Sequence, residues 1–151
     1  MAPHPMTNPT DAATALRERG LRVTRQRISV MNALATTPHS GAEAVIRTVR
    51  ADVGQVSTQA VYDVLNVLTD RGLVRRIQPA GSTARYELRV GDNHHHLVCR
   101  GCGRVVDVDC AIGAAPCLDA PDIDTHGFVV DEAEVTFWGL CDTCSIGTTG
   151  T

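Results

Sequence analysis

Two Cys-x-x-Cys pairs, Cys99-Arg-Gly-Cys102 and Cys141-Asp-Thr-Cys144, lie 38 residues apart in the last third of this 151-residue chain. No other feature limits the fold so strongly. Thiolates on a tight turn can hold one side of a tetrahedral Zn2+, and a second pair closes the sphere. With sulfur at all four corners such an ion has no open position, so its role is structural. Gly101 and Gly103 permit the turn that aims both sulfurs inward. The stretch between the pairs is longer than a compact zinc ribbon needs, so a small domain has to fold within it. The competing reading is a redox dithiol of the thioredoxin kind, whose Cys-x-x-Cys opens a helix in a βαβ unit. Here "CGRVVDVD", a strand pattern, follows the first pair, and the pair is duplicated. Both facts favour zinc.

The compartment agrees. The opening "MAPHPMTNPTDAATA" has neither the apolar run nor the basic lead of a secretory signal, and no stretch is apolar for long enough to span a bilayer. A cytoplasmic chain without membrane contact is expected, and there paired cysteines are more often metal ligands than disulfides. Cys110 and Cys117 are left as small thiols without an assigned role. At 43% hydrophobic but only 3% aromatic residues, the cores are modest and aliphatic, and thin lobes need a metal or a partner subunit. The net charge of −3 conceals an asymmetry: residues 1–90 hold 12 Arg against 7 acids, and residues 91–151 hold 2 Arg against 10 acids. A basic first lobe suits a polyanion.

Within that lobe, helical periodicity alternates with caps. Residues 10–19 read as a short helix stopped by Gly20. Thr24 caps a second, "TRQRISVMNALA", with Ile28, Met31 and Ala35 on one face. Ser40-Gly-Ala-Glu43 has the form of a capping box opening a third, whose Ala42, Val45, Ile46 and Val49 keep helical spacing. In the fourth, "VSTQAVYDVLNVLTDRGLV", Ser57 is the cap, Val61, Val64, Leu65 and Leu68 form the core stripe, and Gly72 ends it. Gln59, Tyr62, Asp63 and Asn66 then point outward, as on a recognition helix in a major groove. "LVRRIQPAGSTARYEL" follows as two strands about Pro79-Ala-Gly81-Ser, carrying Arg75, Arg76 and Arg85. Helices followed by a basic hairpin make a winged helix-turn-helix. An ordinary helical bundle with a solvated polar face also fits the periodicity; the charge asymmetry favours the DNA-facing reading.

In the second lobe "VVDVDC" reads as a strand and "FVVDEAEVTFWGLC" as a hairpin ending at the second cysteine pair. The expected fold class is therefore α+β. A winged helix-turn-helix domain covers residues 1–88, with 1–9 flexible, and a joint covers 89–96. An α/β dimerisation domain with the four-cysteine zinc site covers 97–151, with 145–151 flexible, and its sheet pairs across a dimer. No nucleophile–base pair, phosphate loop or carboxylate dyad is evident, so an enzyme is not expected.

Taken together, "LRVTRQR", "VSTQAVYDVL", "GLVRRIQ", "ARYEL", "HHHLVCRGCG" and "WGLCDTC" resemble the ferric uptake regulator (Fur) family of bacterial metal-dependent repressors over nearly the whole chain. "QAVYDVL" and "GDNHHHLVCRGCG…DVDC" are most similar to an actinobacterial branch that includes repressors of catalase-peroxidase genes. The resemblance implies a homodimeric repressor of a double-stranded DNA operator, with structural Zn2+ on Cys99, Cys102, Cys141 and Cys144. It implies a regulatory site for Fe2+ or Mn2+ on His39, Glu87, His94, His96 and Asp107. It also implies DNA contacts from Arg22, Arg25, Arg27, Ser57, Gln59, Tyr62, Arg76 and Arg85. In that scheme the regulatory ion draws the two lobes into one orientation and acts as corepressor.

Spacing supports part of this transfer. His94 and His96 alternate by two on an extended segment, so they share a side that His95 does not. Nitrogen and oxygen donors without sulfur suit Fe2+ or Mn2+, whereas zinc prefers the thiolates. Asp107 matches peroxide-responsive members of the family and Glu87 matches iron-sensing ones, so hydrogen peroxide, iron or both are the expected signals. An iron- or zinc-responsive repressor is one alternative, and a cysteine-based thiol redox protein is another. Asp63 stands where relatives often carry Arg or Asn, and Ala60 where they often carry Thr, so the operator sequence does not transfer. Ala114 and Ala133 stand near the ligands of a further site in iron-sensing relatives, and that site is expected to be absent or rearranged.

Overall fold

The computed structural model describes residues 9–88, 90, 94–109, 126–129 and 134–146. The chain divides into two compact units, Met1–Val90 and Gly91–Thr151. The first runs α1 (Pro9–Glu18), α2 (Arg25–Thr36), β1 (Ser40–Gly41), α3 (Ala42–Val53), α4 (Thr58–Asp70), β2 (Arg75–Ile77) and β3 (Arg85–Glu87).

Helix α2 packs against α1, α3 and α4 and so occupies the middle of the helical layer. That position changes its buried face. Ser29, Val30, Met31, Ala33 and Leu34 are buried, while Ile28 and Ala35, expected in the core with Met31, are half-buried. A helix with neighbours on three sides buries a wider arc than one apolar stripe. Helices α3 and α4 keep the faces their periodicity dictates: Ala42, Val45, Ile46 and Val49 are buried on one, Val61, Leu65 and Leu68 on the other. Val64 is half-buried. These side chains join Leu16, Leu34, Leu73 and Tyr86 in one core. Each fully buried Leu or Val there stabilises the unit by about 1.5–3 kcal/mol.

Two of the three expected caps form. The Thr24 side chain accepts from the Arg27 N–H at 3.2 Å, and Ser57 accepts from the Ala60 N–H at 3.0 Å. The Ser40 capping box does not form: α3 begins at Ala42, with Gly41 as its cap and no side-chain cap bond. Ser40 and Gly41 instead pair with Tyr86 and Arg85, and the Ser40 hydroxyl donates to the Thr37 carbonyl at 2.6 Å. Pairing with β3 holds Ser40 extended one residue ahead of the cap position, and its hydroxyl turns back to the preceding loop. The wing therefore has three strands in the order β1-β3-β2, where the sequence showed two. Strands β2 and β3 are antiparallel, with Arg76 opposite Tyr86, and their turn carries a bond from Ser82 N–H to the Pro79 carbonyl at 3.0 Å.

The second unit comprises β4 (His94–Cys99), β5 (Val105–Asp109), β6 (Thr136–Gly139) and α5 (Asp142–Ser145). Strand β4 is central, antiparallel to β5 and parallel to β6. The hairpin expected within "FVVDEAEVTFWGLC" runs through residues 130–133, which lie outside the described residues; of its described part, Phe128 and Val129 are outside any strand and Thr136–Gly139 form β6 beside β4. His94, His95 and His96, placed in the joint by the sequence reading, form the first half of β4. Across the sheet Leu97 stands opposite Val106 on β5 and beside Phe137 on β6, and all three are exposed. Among the described residues no helix is long and apolar enough to cross a membrane. Cys110, Ala114, Cys117, Ala133, half of the joint (89 and 91–93) and both expected flexible tails from residue 8 backward and 147 onward lie outside the described residues.

Candidate metal centres and nucleic-acid interface

Cys99 ends β4 and Cys102 sits in the turn that leads to β5, while Cys141 precedes α5 and Cys144 lies within it. The Gly103 N–H donates to the Cys99 carbonyl at 2.9 Å, and the Arg100 N–H donates to the Gly139 carbonyl at 2.8 Å. The second bond straps the first turn to the strand that delivers the other pair. The four sulfurs lie within 4.8 Å of one another. Cys102 and Cys141 Sγ are 3.8 Å apart. Zn–S bonds of about 2.3 Å at tetrahedral angles require about 3.8 Å between sulfurs. All four are free thiols. Gly103, at φ 75°, supplies the left-handed turn. Gly101 is needed for space, since a Cβ there meets Cys144 Sγ at 2.9 Å.

The electrostatics point the same way. The Cys141 backbone N–H donates to Cys99 Sγ at 3.2 Å and, with the Cys102 amide, brings the Cys99 thiol down to about 6. Cys144 faces the sulfurs of Cys141, Cys99 and Cys102 and is pushed up to about 12. Cys99 is thus a sulfur that ionises readily, and Cys144 one whose thiol is held protonated by its sulfur neighbours. The donor set and spacing fit Zn2+. For the first pair a thioredoxin-like role lacks its helix, because Cys99 and Cys102 join two strands; the second pair opens only the four-residue α5 and faces the first pair's sulfurs.

In the first unit His39 Nε2 meets Glu87 Oε2 at 2.9 Å. His39 has φ 61°, a conformation few residues other than glycine adopt. The Arg85 guanidinium donates to the His39 carbonyl at 3.3 Å, and the very next residue enters β1, paired to the strand that carries Glu87. Strand β3 thus positions both members. In the second unit Asp107 stands directly opposite His96 across β4 and β5. Its Oδ1 is 3.4 Å from His96 Nε2 and 3.7 Å from His94 Nε2. The rings of His94 and His96 are 4.9 Å apart on one face, while His95 projects from the other, 6.4 Å from Phe137. The five expected regulatory ligands therefore fall into two sets, His39 with Glu87 and His94, His96 with Asp107.

On α4, Gln59, Asp63 and Asn66 are exposed, as the periodicity requires. Gln59 Nε2 donates to Asp63 Oδ1 at 2.8 Å, which occupies one oxygen of the acid on that face. Tyr62 departs from the expectation of full exposure: its ring is half-buried against the core. An aromatic ring gains more by covering aliphatic neighbours than by standing in water. Arg22 and Arg25 are exposed around the start of α2, and Arg76 is exposed on the wing with Nη2 donating to Gln78 Oε1 at 2.8 Å. Arg27 is half-buried and donates to the Arg22 carbonyl at 2.6 Å. Arg85, expected at the DNA surface, is half-buried and holds the His39 carbonyl.

The sequence model of the ferric uptake regulator family matches residues 18–130. The chain is 57% identical over 144 residues to the transcriptional regulator FurA of Mycobacterium tuberculosis, covering 95% of this chain and 97% of that one. It is 30% identical over 138 residues to the peroxide-responsive repressor PerR of Staphylococcus saprophyticus, covering 89% of each. Among solved structures, the ferric uptake regulator from Pseudomonas aeruginosa with manganese superimposes with a TM-score of 0.63 at 26% identity, over 87% of this chain and 98% of that one.

Proposed function

The chain belongs to the ferric uptake regulator family, whose members are metal-dependent transcriptional regulators, and we propose that it is a homodimeric repressor whose operator binding is switched by one shared ion. The ion is Fe2+ or Mn2+, and its ligands are His39, Glu87, His94, His96 and Asp107. One observation carries this reading: each unit offers a nitrogen–carboxylate pair, at 2.9 Å in the first and 3.4 Å in the second. Neither pair alone fills a coordination sphere, and neither contains sulfur. Such donors suit Fe2+ or Mn2+. An ion that satisfies both pairs ties the units into one orientation, which sets two copies of α4 to reach major grooves a helical turn, or a multiple of it, apart. Moving that equilibrium from mostly open to mostly closed takes about 5.5 kcal/mol of differential binding. The exposed apolar row of Val106, Leu97 and Phe137 supports a dimer through the second unit's sheet.

The finer assignment is to peroxide. It rests on Asp107 and on the likeness to a peroxide-responsive repressor. Fe2+, when bound, supplies the one-electron chemistry that activates peroxide. The imidazoles of His94 and His96 are then the oxidisable groups at hand, and a gain of one oxygen atom on either removes a ligand.

Two experiments test the proposal. Duplex binding by fluorescence anisotropy is followed while Fe2+ or Mn2+ is titrated into the zinc-loaded protein. His96→Ala is expected to abolish the metal dependence with zinc content unchanged; a variant that still responds to metal sinks the shared-ion reading. Brief peroxide treatment of the Fe2+ form should add about 16 Da to His94 or His96, and the Mn2+ form should stay unmodified. No gain in the Fe2+ form removes peroxide and leaves metal sensing.

A further inference from the structure

The turn between α3 and α4 is spanned by the side chain of an arginine that belongs to neither metal centre. Arg50, in the last turn of α3, sends Nε to the Val56 carbonyl at 3.0 Å and Nη2 to the Thr58 hydroxyl at 3.1 Å. The Gly54 N–H caps the Arg50 carbonyl at 3.1 Å, and Gly54 turns the chain at φ 85°. Val56 is buried and belongs to the core, so its carbonyl is a fixed point. Thr58 is exposed and is the first residue of α4, directly after the Ser57 cap. An open cleft lined by Arg50, Gly54, Gln55, Val56 and Ser57 runs beside this clamp.

The chemistry of the clamp follows from its geometry. A guanidinium is a planar fork, so two donors on one edge fix both acceptors together. A threonine hydroxyl has one proton and two lone pairs. With a cation donating into one lone pair, the proton turns away from the cation and the hydroxyl becomes a committed donor. That donor stands on the exposed first turn of α4, beside Ser57 and Gln59. We propose that Arg50 is a positioning residue for DNA binding: it orients the Thr58 hydroxyl to donate to a phosphate oxygen of the operator backbone. This rests on the reading of α4 as the DNA-facing helix. Phosphate contacts from hydroxyls fix a protein's register on the duplex without reading sequence.

The test uses the full chain, loaded with zinc and Mn2+, and a duplex that the wild-type protein selects from a random-sequence pool. Arg50→Met and Thr58→Val are each expected to weaken binding about tenfold, and the double variant to be no weaker than either, because both remove one hydrogen bond. Thr58→Ser should bind like the wild type. Arg50→Lys should be as weak as Arg50→Met, since one ammonium cannot hold both acceptors. The salt dependence should stay at the wild-type slope in all variants. Independent effects that multiply to about a hundredfold, or a fully active Arg50→Lys, overturn the proposal. So does a fall of about one in the salt slope of Arg50→Met, which would make the guanidinium itself the phosphate contact. If Arg50→Met lowers the melting temperature, the comparison of Thr58→Val with Thr58→Ser decides, because Thr58 is exposed. A wild-type protein that selects no duplex defeats the DNA-facing reading of α4; tight wild-type binding untouched by these variants defeats only the role of Arg50.

Discussion

Replacing Gly101 by alanine should loosen the zinc site while leaving the rest of the sheet alone. The new Cβ meets Cys144 Sγ at 2.9 Å and Cys144 Cβ at 3.0 Å, against an ordinary contact range of 3.4–4 Å. The sulfur must therefore retreat by about 0.5 Å, whereas zinc–ligand distances tolerate about 0.2 Å. Structural Zn2+ binding is worth roughly 10–16 kcal/mol over four ligands, or about 3 kcal/mol per thiolate, so full loss of Cys144 weakens zinc about a hundredfold. Helix α5 is only four residues long and can shift with the sulfur, which brings the expected loss to between about ten- and a hundredfold. Competition against a chromophoric zinc chelator measures this directly. Gly139→Ala is the control, because a Cβ there has nothing within 4 Å. A Gly101→Ala protein that holds zinc as tightly as the wild type would refute the claim that these four sulfurs grip one ion.

Further outcomes follow from the same structure. Glu87→Gln should shift the Fe2+ or Mn2+ dependence of duplex binding at least tenfold with zinc content unchanged, because His39 then faces an amide in place of a carboxylate. Thr24→Ala and Ser57→Ala should each cost about 1 kcal/mol in urea denaturation, and Ser40→Ala less, because only the first two hydroxyls cap a helix. Leu97→Glu should shift the dimer to monomer in sedimentation, since it puts a charge in the middle of the exposed apolar row. In reduced, zinc-free protein, ultraviolet absorbance of thiolate should appear as pH rises through about 6 for Cys99 and only near 12 for Cys144. The Cys99 contribution to stability is then full above its ordinary value near 9.0 and is lost as pH falls through about 6. The Cys144 contribution has the opposite sign, present below 9.0 and lost as pH rises through about 12. A single transition near the ordinary cysteine value would show that the thiols are dispersed once zinc leaves.

Wherever a property depends on residues a few positions apart, the chain could be read directly. The ligand spacing of Cys99-x-x-Cys102 and Cys141-x-x-Cys144, the caps at Thr24 and Ser57, and the buried faces of α3 and α4 are of this kind. So is the division of His94 and His96 from His95, since a strand alternates its sides whatever it pairs with. Which strands become neighbours is a different matter. It is set by burial summed over the whole unit, and no short pattern encodes it. Strand β1 is two residues long and exists only because β3 lies beside it, and that pairing moved Ser40 off the helix end. The same strand brings the Arg85 guanidinium to the His39 carbonyl, and the packing of α4 half-covered Tyr62. Strand β6 joined β4 in parallel, a pairing between segments far apart in the chain. The sequence by itself determined which atoms can bind metal and on which side of their strand they stand. Only the tertiary structure decided that the Arg85 guanidinium meets the His39 carbonyl and that the Arg50 guanidinium closes on Thr58, because those outcomes depend on partners fixed by packing.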